Sequence, residues 1–290
     1  MPDHLPSPLV STEWLLARLG RADIQVVDGS WYLPHAGRDP AAEFVEGHIP
    51  GAIFFDLDAS SDAASSLPHM LPPADDFAAR MRRLGLHDES TFVVYDGSGV
   101  NLSAPRVWWM FRVFGHRATA VLDGGLGKWK AEGRPLERGP SKPRPGRFTA
   151  RLDPGRVRDL PAVAANLRRR SEQVVDMRSV ERFEGTQTEP RPGIRSGHIP
   201  GSLNLPYAEL VASDGTVLPP ERLRERIKAA GLDLSRPIVV SCGSGTSACS
   251  LVLGLELLGH DRVSVYDGSW TEWGGHAETP VELGPARKAP

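Results

Sequence analysis

Apolar and polar residues alternate along the chain in two kinds of block. Short runs rich in valine, isoleucine and other β-formers are bounded by turn residues, and they predict buried strands. These strands are expected at residues 24–27, 91–95, 118–122, 173–176, 237–241 and 262–266. Between them, apolar residues recur at helical spacing, which predicts helices at residues 75–84, 104–114, 221–230 and 247–258. Because the strands are apolar throughout and separated by helices, the pattern favours α/β domains, each with a small parallel sheet covered by helices on both faces.

The same blocks occur twice in the same order. The pentapeptide Gly-His-Ile-Pro-Gly stands at residues 47–51 and again, letter for letter, at residues 197–201. Three further pairs keep this order: residues 26–28 with 174–176, 93–96 with 239–242, and 121–125 with 265–269. Four ordered matches indicate a duplicated domain of roughly 145 residues. We therefore predict a first domain over residues 1–140, a linker over residues 141–152 and a second domain over residues 153–290.

Composition and charge narrow the function classes. The 290 residues carry 34 basic and 36 acidic side chains, so no bulk field attracts nucleic acid or an anionic membrane. Two cysteines, Cys242 and Cys249, cannot supply a four-thiolate zinc site. No apolar run approaches the roughly 20 residues of a membrane span. Because residues 1–4 also lack the features of a signal peptide, we expect a cytoplasmic protein.

The strongest candidate for chemistry is Cys242, which directly follows the predicted strand at residues 237–241. Ligands of open α/β sheets lie beyond the carboxyl ends of the strands. Residues 243–247 contain two glycines and three hydroxyl side chains, and they lead into a predicted helix. Such a loop can turn several backbone N–H groups toward one point, and these groups favour a thiolate over a thiol. A buried structural cysteine is the alternative, and it is the role that we expect for Cys249.

The first copy differs at this position. Asp96 aligns with Cys242 in the repeat. Because a carboxylate cannot replace a soft sulfur nucleophile, we expect the first domain to be non-catalytic. His48 and His198, by contrast, recur in both copies, which favours a structural role in the turn over a catalytic one.

Together these motifs resemble the tandem rhodanese-domain sulfurtransferases, and among them the 3-mercaptopyruvate sulfurtransferases. The similarity extends over nearly the whole chain and rests on both pentapeptides, both Asp-Gly blocks with their tryptophans, the loop after Cys242, residues 103–110 and the stretch around Arg182. It implies that Cys242 takes sulfur from 3-mercaptopyruvate as a persulfide and that pyruvate is released. A thiol such as thioredoxin or a small thiol, or cyanide, would then accept the sulfur. No metal or organic cofactor is implied.

The resemblance also implies roles for further residues. Arg182 and Arg191 correspond to substrate-binding arginines, and a planar cationic donor suits an α-keto carboxylate. A proton relay would comprise Ser244, His69 and Asp58, with the histidine as proton carrier. The substrate would also be surrounded by four residues of the loop, Gly243, Gly245, Thr246 and Ser247. Ordinary roles stay open: salt bridges for the arginines, a surface loop for the histidine, and a helix cap or turn for the aspartate.

Three rival functions remain. A thiosulfate:cyanide sulfurtransferase would share the fold, but enzymes that prefer this dianion carry basic residues in the loop, and residues 243–247 include none. A cysteine phosphatase or arsenate reductase needs the spacing Cys-x5-Arg to clamp an oxyanion, and Ala248 stands at the arginine position. A non-enzymatic persulfide carrier stays open, because the same thiolate would serve it.

Overall fold

The computed structural model describes residues 5–141 and 144–286, which form two compact units. The first unit comprises the residues up to Ala63, Leu71–Asp153 and Val211–Val217. The second comprises Ala64–Met70, Pro154–Leu210 and the residues from Leu218 onward. Each unit therefore takes one short segment from the other half of the sequence, a feature that the repeat pattern does not predict.

The first unit is built from a five-stranded parallel sheet within the described residues. Its strands are β1 (Leu9–Val10), β2 (Ile24–Asp28), β3 (Ile53–Phe54), β4 (Thr91–Tyr95) and β5 (Thr119–Leu122), in the spatial order β1-β5-β4-β2-β3. Its helices are α1 (Thr12–Leu16), α2 (Pro40–Glu46), α3 (Ala74–Arg83), α4 (Ala104–Val113) and α5 (Gly125–Ala131), with a 3-10 turn at Pro34–Ala36. The central position of β4 places the loop that follows it at the middle of the sheet edge.

Helices cover both faces of this first sheet. On one face, Val26 and Val93 share a buried cluster with residues of α1, α2 and α5, among them Trp129. On the other face, Phe92 of β4 lies edge-on to Phe111 of α4, with 4.8 Å between the ring centroids. The side chains of each strand alternate between the two faces, so both faces need apolar residues, and this explains the uninterrupted apolar runs in the sequence.

The second unit repeats this plan. Its strands are β6 (Val157–Arg158), β7 (Gln173–Asp176), β8 (Leu203–Asn204), β9 (Ile238–Ser241) and β10 (Val263–Tyr266), all parallel in the order β6-β10-β9-β7-β8. Its helices are α6 (Leu160–Arg169), α7 (Val180–Glu184), α8 (Pro220–Ala229), α9 (Ala248–Leu257) and α10 (Ser269–Gly275), with 3-10 turns at Pro154–Arg156 and Tyr207–Leu210. The predicted fold of two tandem parallel-sheet α/β domains is confirmed.

The two repeated histidines make matching contacts, each inside its own unit. His48 stacks on Phe44 with 3.9 Å between ring centroids, and its Nδ1 lies 2.7 Å from the carbonyl oxygen of Phe44. His198 stacks on Phe183 at 3.7 Å, with Nδ1 2.8 Å from the Phe183 carbonyl oxygen. Both rings are buried. These contacts fix the Ile-Pro-Gly turns to the preceding helix, which is the structural role that the symmetry predicts.

Part of the predicted linker packs on the first unit. The N–H of Gly146 donates to the carbonyl oxygen of Arg82 at 2.8 Å, and that of Arg151 donates to the carbonyl oxygen of Phe114 at 2.9 Å. Between them, Phe148 is buried against Phe77 and other rings of the first unit. The division at residues 141–152 stays a prediction.

Candidate active site

Cys242 directly follows β9, the middle strand of the second sheet, and is 1% exposed. The loop of residues 243–247 leads from it into α9, and Gly245 in this loop adopts a left-handed backbone with φ of 75°. This conformation favours glycine because a Cβ atom would clash with the backbone. The turn thus brings the N-terminus of α9 back toward the end of the strand, as the sequence predicts for a ligand site of an open sheet.

Backbone donors of this loop are left unused by the protein. Among the described residues, the N–H groups of Gly243, Ser244, Thr246 and Ser247 donate to no protein acceptor. Ser244 and Thr246 are nevertheless buried. Buried N–H groups without acceptors are rare in folded proteins. Such donors are suited to an anion beside Cys242, either its own thiolate or a bound substrate.

The backbone on either side of Cys242 is held by the start of α10. The N–H of Cys242 donates to the hydroxyl oxygen of Ser269 at 3.2 Å, and this hydroxyl donates in turn to the carbonyl oxygen of Tyr266 at 2.8 Å. The carbonyl oxygen of Cys242 accepts from the N–H of Trp270 at 3.0 Å. Ser269 adopts a left-handed backbone with φ of 51°, which is unusual for a residue other than glycine. Its hydroxyl is therefore placed by a strained turn.

His69 reaches the same loop, and the segment that carries it belongs to the second unit. Its Nδ1 lies 2.9 Å from the Ser244 hydroxyl oxygen and 3.1 Å from that of Thr246. The ring is buried, and its backbone φ of 62° is left-handed. The structure therefore places two of the three predicted relay residues in contact, and adds Thr246 as a second hydroxyl on the same nitrogen.

Asp58, the third predicted relay residue, belongs to the first unit. Its carboxylate accepts a hydrogen bond from the indole nitrogen of Trp31 at 3.2 Å. It is neither at the N-terminus nor inside any of the helices defined above. Its role in the relay stays a prediction.

Arg182 lies on α7 with its guanidinium beside the Cys242 loop. A Cβ atom added to Gly243 would come within 3.2 Å of Nη2 of Arg182 and 3.9 Å of Nη1. The Nε and Nη2 atoms donate to the two carboxylate oxygens of Glu189, at 3.2 and 2.6 Å. Among the described residues, Nη1 has no protein acceptor. The guanidinium thus keeps donor capacity next to Gly243, the residue that follows Cys242.

Glu189 also binds a second, buried arginine. Its Oε1 accepts from Nη1 of Arg178 at 2.7 Å. Arg178 in turn donates to Asp176 at the end of β7, with Nη2 2.6 Å from Oδ2, and it lies over the ring of Trp270. Burial would lower the pKa of Arg178, but the carboxylates of Asp176 and Glu189 more than offset this and raise it. An ion chain therefore runs from the sheet to Arg182.

Arg191, the other predicted substrate-binding arginine, lies two residues beyond Glu189 and is half-buried. It is part of the same stretch of chain that supplies the carboxylate to Arg182. Its function as a substrate ligand stays a prediction.

Three residues of this site escaped the sequence reasoning. Ser269, Arg178 and Glu189 lie far from Cys242 in the sequence, and their contacts depend on tertiary structure. The repeat held a partial signal, because Ser269 aligns with Gly125 and Arg178 aligns with Ser30. A difference between two copies at a position next to a functional segment marks a residue that only one copy needs.

Two other kinds of site are absent from the described residues. No group of three or more histidine, cysteine, aspartate or glutamate side chains is arranged to hold a metal ion. No described helix combines the length and the apolar character needed to cross a bilayer.

Comparison with known proteins agrees with this architecture. The Rhodanese-like domain family matches residues 11–132 and again residues 160–276. The human 3-mercaptopyruvate sulfurtransferase is 48% identical over 91% of both chains, and the bovine thiosulfate sulfurtransferase is 42% identical over 97% of both. The crystal structure of SseA from Escherichia coli, described as a 3-mercaptopyruvate sulfotransferase, superimposes with a TM-score of 0.84 at 38% identity. That match covers 91% of this chain and 99% of SseA.

The chain belongs to the rhodanese family, with one copy of the domain in each half. The predicted class, a tandem rhodanese-domain sulfurtransferase, is thereby confirmed, and the chain is an enzyme of sulfur transfer.

Proposed function

We propose that this enzyme takes sulfur from 3-mercaptopyruvate through a persulfide on Cys242 and passes it to a thiol or to cyanide. The Cys242 thiolate attacks the sulfur of the substrate, and the bond between this sulfur and carbon breaks. The electron pair of that bond goes to carbon and gives the enolate of pyruvate, which a proton converts to pyruvate. A thiolate acceptor then attacks the outer sulfur and releases Cys242 as thiolate.

The position of Arg182 is the observation that carries this proposal. Its guanidinium lies against Gly243, next to the nucleophile, and retains a donor without a protein acceptor among the described residues. An α-keto acid offers a carboxylate that such a donor can bind. The unused N–H groups of the loop would stabilise the charge on sulfur during attack and on the persulfide afterwards. Arg191 would add a second cationic donor to the substrate carboxylate.

The contact between His69 and Ser244 supports a route for the proton that the enolate needs. An imidazole can pass a proton through a hydroxyl that lies 2.9 Å away. Thr246 lies 3.1 Å from the same nitrogen and would hold the ring in place. Asp58 would orient the ring as the third member of the relay. The remaining loop residues, Gly243, Gly245 and Ser247, would contribute backbone contacts to the substrate.

The proposal extends to the sulfur acceptor and to the cellular compartment. Both cysteines are free thiols, and neither is engaged in a disulfide. A free thiol nucleophile persists in a reducing compartment, and this supports a cytoplasmic location for the protein. A small thiol or a thioredoxin-like dithiol fits the chemistry, because its thiolate can attack the persulfide and leave Cys242 ready for another cycle.

The proposal is tested by measuring pyruvate release from 3-mercaptopyruvate in the presence of a reducing thiol. We expect Cys242→Ser to lower kcat/KM by a factor of at least about 10³, since it removes the nucleophile. Cys249→Ser is the matched control and should retain most of the activity. Thiosulfate with cyanide runs in parallel, with thiocyanate as the product. A higher kcat/KM for thiosulfate would contradict the proposed donor. Inactivity with both donors in a folded, reduced protein would favour a persulfide carrier.

A further inference from the structure

The carboxylate of Glu189 lies between the two guanidinium groups of Arg178 and Arg182. Its side chain is only 4% exposed, whereas that of Arg182 is 20% exposed. Its two oxygens receive three hydrogen bonds of 2.6 to 3.2 Å from these arginines. A nearly buried carboxylate that accepts from this many charged donors is held in a fixed position, unlike the carboxylate of a solvent-exposed ion pair.

Glu189 determines which edge of the Arg182 guanidinium is free. The carboxylate occupies the side formed by Nε and Nη2. The remaining edge, formed by Nη1 and the second N–H of Nη2, is left for a ligand, and these two nitrogens are the ones that approach Gly243. This edge can bind a carboxylate through two parallel hydrogen bonds. The contact with Glu189 therefore orients this free edge of the guanidinium toward the loop that begins at Cys242.

The same contact sets the charge of the region. Asp176, Arg178, Glu189 and Arg182 form one connected chain of two anions and two cations. Their formal charges cancel. Arg182 thus offers directed hydrogen bonds, while the four charged residues together contribute no net positive charge. These four residues suit an anion with one negative charge better than a dianion, because a second negative charge would lie close to Glu189 and the four residues supply no net positive charge to balance it.

We propose that Glu189 is a positioning residue that also determines donor specificity, by fixing Arg182 for a monoanionic α-keto acid and by disfavouring dianions such as thiosulfate. The inference rests on the proposed function, because it assigns the choice between the two sulfur donors to this carboxylate. The neutral loop after Cys242 and the ion chain then both favour the monoanionic donor over the dianion.

Two substitutions separate geometry from charge. Glu189→Gln keeps the shape but removes the negative charge, and Glu189→Asp keeps the charge but shortens the reach. Glu181→Gln is the matched control, since it removes an exposed carboxylate from the helix that carries Arg182. For each protein, kcat and KM are measured with 3-mercaptopyruvate and with thiosulfate. Dissociation constants for pyruvate and for sulfate, a monoanion and a dianion, are measured by calorimetry.

We expect Glu189→Gln to shift the ratio of kcat/KM values about tenfold toward thiosulfate, and the ratio of affinities about tenfold toward sulfate. Glu189→Asp should lower kcat/KM with both donors and leave the ratio within about twofold of the wild type. A loss of folded protein alone would lower kcat/KM equally with both donors, so it would leave the ratio of the two values unchanged. The inference is overturned when Glu189→Gln leaves both ratios unchanged, or when Glu189→Asp moves them as far.

The binding measurements keep this inference separate from the proposed reaction. A wild-type protein that turns over neither donor contradicts the proposed function, while its preference for pyruvate or sulfate still tests Glu189. The wild type itself supplies a check that needs no variant. It should bind pyruvate at least about tenfold more tightly than sulfate, and tighter binding of sulfate would overturn the inference.

Discussion

The loops that follow the middle strands of the two sheets use their backbone donors in opposite ways. In the first domain, the carboxylate of Asp96 accepts hydrogen bonds from the N–H groups of Ser98, Ser103 and Ala104, at 2.8 to 2.9 Å. In the second domain, Cys242 stands at the same place, and among the described residues the N–H groups of Gly243, Ser244, Thr246 and Ser247 donate to no protein acceptor. The first copy thus supplies an anion to its own loop, whereas in the second copy these N–H groups are the donors that we propose for the substrate and the persulfide.

Loop length contributes to this difference. Seven residues separate Asp96 from Ala104, whereas five separate Cys242 from Ala248. A carboxylate also extends farther from the backbone than a thiol and offers two acceptor oxygens. In the first domain, one acidic side chain and a longer loop therefore make this part of the sheet edge a structural element. Exchanging or removing the groups that differ tests whether they cause the contrast between the two loops.

The largest effect on stability is expected for Asp96→Ala. The substitution leaves three backbone donors without the buried carboxylate, and each orphaned buried donor costs about 1 to 3 kcal/mol. We expect the free energy of unfolding of the first domain to fall by at least about 3 kcal/mol, measured by urea denaturation. Cys242→Ala should cost about 1 kcal/mol, because its loop donors have no protein acceptor to lose. Equal losses in both variants would show that the two loops do not differ in this way.

A second pair of matching acids, Asp28 and Asp176, differs in its hydrogen-bond partners. Asp176 is paired with the Arg178 guanidinium, whereas Asp28, its counterpart, accepts from the N–H and hydroxyl of Ser30. Burial raises the pKa of Asp28 to about 6, although the hydrogen bonds from Ser30 lower it. Because this folded-state pKa lies above the unfolded value, the stabilisation is complete below about pH 4 and is lost as the pH rises through about 6.

Asp28→Asn should therefore become more favourable, relative to the wild type, as the pH increases from 4 to 7.5. A shift of about two pKa units corresponds to about 3 kcal/mol in the free energy of unfolding, of which about 2 kcal/mol falls between pH 4 and 7.5. Chemical denaturation at several pH values measures this difference. Taking the variant minus the wild type cancels other titrating groups, such as His116, whose pKa is lowered to about 4 by burial. A difference that does not change with pH would contradict the raised pKa.

The sequence was a good guide to the repeated framework and a poor one to the links between its parts. All predicted strands and helices are present with ends that differ by at most one residue, because each depends on local apolar spacing. The four strands of two residues each were not predicted, since such runs carry no periodicity. The exchange of Ala64–Met70 and Val211–Val217 between units was also missed, because it depends on long-range packing.

The same division applies to the candidate site. Cys242 could be found from its strand, its loop and the helix after it, all of which are local. Arg182 and His69 were named through the family resemblance, whereas the contacts that Glu189 and Thr246 make with them became visible only in three dimensions. A carboxylate that holds an arginine leaves no periodic or compositional trace in a single sequence.

Serine hydroxyls at matching positions allow a further test of the comparison. Ser98 donates its hydroxyl to Asp96 in the first loop, whereas the Ser244 hydroxyl contacts His69 in the second. We expect Ser244→Ala to lower kcat for pyruvate release about tenfold, because it interrupts the proposed proton route. Ser98→Ala should leave kcat unchanged and lower the free energy of unfolding by about 1 kcal/mol. A Ser244→Ala enzyme with full kcat and a normal pH profile would exclude the relay.

The smallest expected effect concerns the turn that holds the backbone of Cys242. Ser269 has φ of 51° and accepts from the Cys242 N–H, while its counterpart Gly125 has φ of 54° and no side chain. A Cβ atom on Gly125 would lie 2.6 Å from the carbonyl oxygen of Asp96, so the first domain excludes a side chain there. The second domain accepts a left-handed serine, at a conformational cost of about 1 kcal/mol.

Ser269→Gly removes this strain together with the hydroxyl, so the two effects on stability should nearly cancel, leaving a change below about 1 kcal/mol. Ser269→Ala keeps the strain and loses the hydroxyl, and it should be the less stable variant. Both should slow formation of the Cys242 persulfide about fivefold, since the N–H of the nucleophile loses its acceptor and its backbone is less well fixed. Single-turnover release of pyruvate measures this rate. If Ser269→Gly alone slows the reaction, the backbone conformation positions Cys242; if neither variant does, the hydroxyl serves only the fold.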